Sequence, residues 1–89
     1  MKVLVTSGSG LGNVVMATPV VAALAELGHE VVLGLDGVTA PFRSLWEGWD
    51  AVASVAVHGD VVGAEVVVKT CWGAHGPAFG CAAREFAPV

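Results

Sequence analysis

The pattern of hydrophobic and polar positions changes period several times along the 89 residues, and each change marks an element. Lys2 to Thr6 is a short β-branched run, which predicts a strand. It leads straight into Ser7-Gly8-Ser9-Gly10-Leu11-Gly12-Asn13, where three glycines within five residues end the extended chain and predict a turn. From Val14 to Leu27, Ala17, Val20 or Val21, Leu24 and Leu27 fall at helical spacing, and Gly28 stands where a helix-ending glycine belongs. The helix start has two solutions: Asn13 as cap, or Thr18 as cap with Pro19 in the first helical position. With Asn13 as cap, Pro19 removes the bond to the Val15 carbonyl and a kink is expected.

Glu30 to Leu35 is a second strand, closed by Asp36-Gly37, and completes a βαβ unit whose crossover is right-handed. Pro41 to Glu47 predicts a short helix with Phe42, Leu45 and Trp46 on one face, so that Trp46 and Trp49 read as packing residues. Ala51 to Val57 and Glu65 to Thr70 give a third and a fourth strand. His58-Gly59-Asp60 between them is too short for a crossover helix unless Val61 to Ala64 adds a turn. Cys71 to Pro77 reads as a loop, and Cys81 to Phe86 as the start of a helical pattern. The predicted fold class is α/β, a Rossmann-like parallel sheet in the order 3-2-1-4 with flanking helices.

Composition sharpens this picture. Hydrophobic residues make up 55% of the chain and charged residues 13%, as expected of a parallel sheet covered on both faces. A chain this short buries a small share of its surface. The expectation is one domain, 1–89, an incomplete unit whose apolar surface is covered by further chain. Four Lys and Arg against eight Asp and Glu leave a net charge of −4, and Lys2, Arg43, Lys69 and Arg84 are scattered, which argues against a nucleic-acid surface. The longest apolar stretch, Val14 to Ala25, is broken by Thr18-Pro19 and too short to span a bilayer, and no signal peptide is legible. Cys71 and Cys81 lack metal-ligand spacing and read as reduced thiols of a cytoplasmic protein.

In an open parallel sheet ligands gather beyond the carboxyl ends of the strands, where strand order reverses. The rim expected here comprises Ser7 to Asn13, Asp36, His58, and Thr70 to His75. Backbone N–H groups at a helix N-terminus favour phosphate or carboxylate. Ser9, Gly10, Leu11, Gly12 and Asn13 are therefore the candidate substrate-binding residues. The dinucleotide fingerprint is not met, because Asn13 stands where its third glycine belongs, and a phosphate loop of the Gly-Lys-Ser/Thr type is absent. A plain packing turn is the alternative reading. Asp36 could equally cap the turn before Gly37, and His29 and His58 could be ordinary turn and strand-end residues.

The run Met1-Lys2-Val3-Leu4-Val5, then Gly10-Leu11-Gly12-Asn13-Val14-Val15-Met16-Ala17-Thr18-Pro19, then Ala23-Leu24, resembles the start of the family 9 glycosyltransferases, the ADP-heptose:lipopolysaccharide heptosyltransferase group. About the first 35 residues carry the likeness, and Leu45 to Asp50 is compatible with it. Gly28 to Val31 is also similar to the Gly-His-Glu-Val that precedes the second strand in other two-domain glycosyltransferases. The resemblance implies the N-terminal, acceptor-side part of a GT-B fold, whose missing C-terminal domain binds most of the nucleotide-sugar. It implies sugar transfer from a nucleotide-sugar to a hydroxyl of a glycan acceptor in lipopolysaccharide biosynthesis, with no metal or other cofactor. Membrane-surface association is compatible with such an acceptor.

One departure bears on mechanism. The family usually has Asp, a plausible general base, where this chain has Asn13, and an amide has no titratable carboxylate to take a proton. Asp36, His58 and His75 are the candidates to replace it. Two other readings stay open: a nucleotide-binding Rossmann-like module, which Asp36 suits by its spacing from the loop, and a non-catalytic partner domain.

Overall fold

The computed structural model describes residues 1–8 and 10–70, and the backbone of 84–86. In chain order it has β1 (Lys2–Thr6), α1 (Leu11–Glu26), β2 (Glu30–Leu35), a 3-10 turn (Ala40–Phe42), α2 (Ser44–Glu47), β3 (Ser54–Val57), β4 (Val66–Lys69) and β5 (Arg84–Phe86). The strands form one parallel sheet in the order β3-β2-β1-β4-β5. The expected 3-2-1-4 arrangement with flanking helices is present, and β5 extends it at the β4 edge. Arg84–Phe86 departs from the helical pattern read there, since Val66↔Arg84, Val67↔Glu85 and Val68↔Phe86 are in register. Pairing to an open sheet edge overrides a short local propensity.

Alternation along the strands divides the core between two faces. Val3 and Val5 of β1 and Val31, Leu33 and Leu35 of β2 pack with Val14 and Val21 of α1, and with Trp46 and Val52. On the other face Leu4, Val32, Ala56 and Val67 pack under Val62 of the loop between β3 and β4. Both faces of the central strands are thus apolar, which is why their sequences read as unbroken hydrophobic runs. At the amino edge Lys2 pairs in register with Glu30, and their side chains form an exposed ion pair at 3.8 Å.

α1 begins three residues earlier than the first predicted helical residue. Its N-cap is Gly10, in a conformation with φ 105° and ψ 142° that side-chain-bearing residues rarely adopt. Asn13 is accordingly inside the first turn and is not the cap; Asn13 N and Val14 N both donate to the Gly10 carbonyl, at 3.2 and 3.4 Å. Thr18-Pro19 is not a helix start either, because Pro19 lies within the helix. At the other end Gly28, φ 91°, donates to Ala25 O at 2.9 Å, and His29 N reaches back to Leu24 O at 3.1 Å. These two bonds are the Schellman closure expected of a glycine at that position.

The short helix also differs from expectation. A 3-10 turn precedes α2, and only Trp46 is buried, while Phe42 and Leu45 are exposed. A 3-10 turn advances the chain by a third of a turn per residue, so the face drawn at α-helical spacing is not the face that meets the sheet. Trp49 packs against the core as a partly buried residue.

Candidate functional site

Parallel pairing brings the carboxyl ends of the strands to one edge. Thr6 is in register with Gly34 on one side and Lys69 on the other, and Leu35 is in register with Val57. Asp36 and His58 therefore follow the last residues of adjacent strands, and the Ser7–Gly10 turn leaves the same edge from the central strand. Strand order reverses between β1 and β4, the position where ligands bind in open sheets.

The turn delivers the N-terminus of α1 to this edge. Gly10 supplies no capping side chain, and the first turn of the helix contains no acidic residue. Leu11, Gly12 and Asn13 are exposed there, and a Cβ built on Gly12 meets no atom within 4 Å. Ser7 is buried and its hydroxyl donates to the Gly8 carbonyl at 3.3 Å. Ser9 and His75 lie outside the described residues, as do Cys71 and Cys81.

Asp36 is a turn organiser. Its Oδ1 accepts from Val38 N at 3.0 Å, Thr39 N at 2.9 Å and Thr39 Oγ1 at 2.9 Å. The Thr39 hydroxyl oxygen in turn accepts from Asp36 N at 3.1 Å. Both residues are buried, so the carboxylate oxygen compensates the Thr39 N–H and hydroxyl, which would otherwise be costly to bury, and also takes the part-buried N–H of Val38. Thr39 was invisible as a site residue from apolar periodicity, yet the Asp-x-x-Thr spacing of residues 36–39 is a capping signal that could have found it. His58 is exposed at the end of β3, and its backbone N–H donates to Leu35 O at 3.1 Å.

The reversal point is tied by threonines. Thr70 donates both its N–H, at 3.0 Å, and its hydroxyl, at 2.8 Å, to the carbonyl of Thr6. Thr6 Oγ1 itself is buried without a hydrogen-bond partner, on the Leu4 face of the sheet by strand alternation. An orphaned buried hydroxyl costs about 1–3 kcal/mol.

A groove of about 290 Å³ lies elsewhere, lined by Lys2, Val32, Ser54, Ala56, Asp60 and Val61 among others. It opens on the Leu4 face beside the loop after β3, away from the glycine turn. Among the described residues no group of three or more His, Cys, Asp or Glu is placed to hold a metal ion, and no helix is long and apolar enough to cross a membrane. In comparisons with known proteins the chain matches no family model, no curated protein and no solved structure.

Proposed function

We propose that the β1–α1 turn holds a polar substrate, and that the chain is the acceptor-side Rossmann-like unit of a nucleotide-sugar-dependent glycosyltransferase of the heptosyltransferase type. The observation that carries this reading is the uncapped N-terminus of α1, delivered by Gly10 to the carboxyl edge of the central strand. Its N–H groups suit a phosphate, carboxylate or sugar oxygen.

In such a transfer the acceptor hydroxyl oxygen forms a bond to the anomeric carbon, and the bond from that carbon to the nucleotide phosphate breaks. The nucleotide diphosphate leaves with the electron pair, and a base takes the hydroxyl proton. Asn13 cannot be that base. Asp36 has one oxygen already accepting three hydrogen bonds, which favours His58 or His75 for the role.

A nucleotide-binding module is the second reading, favoured by an acidic residue at the end of β2. The same three hydrogen bonds on Asp36 Oδ1 weigh against it, because a ribose hydroxyl would compete with buried donors. An NMR titration of amide shifts with a nucleotide-sugar and with a phosphorylated sugar separates the two. Shifts at Gly8 and Gly10 to Asn13 that Gly12→Val abolishes support the turn as the substrate seat. Shifts centred on Asp36 to Thr39 support the nucleotide module, and no saturable shift at either place overturns both.

A further inference from the structure

α1 is apolar on both sides, with Val14, Ala17 and Val21 buried against the sheet. At 100° per residue the exposed residues from Val15 onward, with Gly12, fall within a sector of about 120° centred on Pro19, and the exposed Leu11 and Asn13 of the first turn lie outside it. Met16 and Val15, 78% and 53% exposed, lie on the N-terminal side of Pro19. Ala22 and Ala23 lie equally far on its C-terminal side, and Gly12 and Glu26 are the outermost pair. Glu26 is the one charged residue of the helix. It occupies the last turn, where its own helix dipole disfavours a carboxylate, while the first turn has no acidic residue to meet the positive end.

We propose that this face docks a second copy of the chain, through an antiparallel two-fold pairing of the α1 helices centred on Pro19. About that axis, which reverses height along the helix and keeps the flank of the stripe, each large residue faces a small one: Met16 meets Ala23 and Val15 meets Ala22. Glu26 of each copy comes beside the first turn of the other, at Gly12, where the dipole favours it. A parallel pairing would instead set two Glu26 carboxylates side by side. The self-complementarity of the stripe in size and in charge selects a second copy as the occupant, as an isologous interface requires. A 16-residue helix is about 24 Å long, so one helix face per copy gives an interface at the small end of specific contacts and a dissociation constant on the order of micromolar.

The inference rests on the outer face of α1 and not on the substrate seat, although Glu26 of the second copy comes beside the first turn that the seat also uses. Sedimentation velocity tests it without added substrate on the 89-residue chain between about 1 and about 100 µM. A reversible monomer–dimer equilibrium that stops at two is expected. Met16→Glu, at a site too exposed to disturb the fold, weakens the dimer at least about tenfold, with an unchanged far-UV CD spectrum. Glu26→Lys weakens it too, whereas Val61→Glu, an equally exposed apolar position on the opposite face, leaves it unchanged. In a Cys71→Ser, Cys81→Ser background, Pro19→Cys forms a disulfide between copies on mild oxidation. A chain that stays monomeric throughout, that aggregates without limit, or whose dimer responds to Val61→Glu and not to Met16→Glu overturns the proposal.

Discussion

The hydroxyl of Thr18 donates to the carbonyl of Val15 at 2.6 Å, filling the acceptor that Pro19, four residues beyond Val15, has no N–H to reach. This bond lets α1 run from Leu11 to Glu26 through a proline that ordinarily interrupts a helix. Thr18→Val, which removes the hydroxyl and keeps the shape, is expected to cost about 0.5–1.5 kcal/mol. Pro19→Ala restores the backbone donor and stabilises by up to about 3 kcal/mol. In the Pro19→Ala background Thr18→Val costs less, since Val15 O then has its helical partner. Urea denaturation of the four proteins measures this coupling, and strictly additive effects would contradict it.

Gly10 and Gly12 sit two residues apart and respond oppositely to a methyl group. At Gly10 the added Cβ has room, with Asn13 Nδ2 the nearest atom at 3.8 Å, but the φ of 105° is strained for any other residue. Gly10→Ala should therefore destabilise by about 1–3 kcal/mol. Gly12 lies in the first turn with open space around it, and Gly12→Ala should be neutral or stabilise by up to about 1 kcal/mol. Thermal melts compare them directly. Loss of substrate binding in a fully stable Gly12 variant then reports on the ligand and not on the fold.

For the Asp36–Thr39 pair, Asp36→Ala strands two backbone N–H groups and a hydroxyl and is expected to cost about 1–3 kcal/mol. Asp36→Asn keeps an acceptor oxygen in place and should recover much of that loss. Guanidinium midpoints give both values. Equal, negligible effects would mean that the turn holds its shape without the side chain.

Asn13→Asp introduces a carboxylate into the first turn of α1, where the helix dipole favours the charged form by about 0.3–1 kcal/mol. A group so favoured has a lower pKa folded than unfolded. Its contribution is complete above the unfolded value of about 4 and fades as the pH falls through the folded one. The variant should thus exceed wild type in melting temperature at neutral pH and lose the advantage near pH 3. An advantage unchanged across that range would place the gain in something other than charge. In a transfer assay the same variant should raise turnover as pH climbs past that carboxylate range, unless another residue is already the base.

The order of elements, the parallel sheet and the position of the glycine turn were legible in the sequence, because β-branched runs, helical spacing and glycine each act through local backbone geometry. Gly28 was readable as a helix stop for the same reason, since a positive φ is a property of one residue. What the tertiary structure alone decided was where local rules compete. Asn13 is a good cap by type, yet the chain must turn at Gly10 to bring Val14, Ala17 and Val21 onto the sheet, and packing fixed the helix start. Arg84–Phe86 became a strand because β4 offered an unpaired edge, a partner no local pattern can reveal. Asp36 was visible as a carboxylate at a strand end. Only its burial beside Thr39 showed three donors converging on one oxygen, because the energy of a polar group depends on what surrounds it after folding.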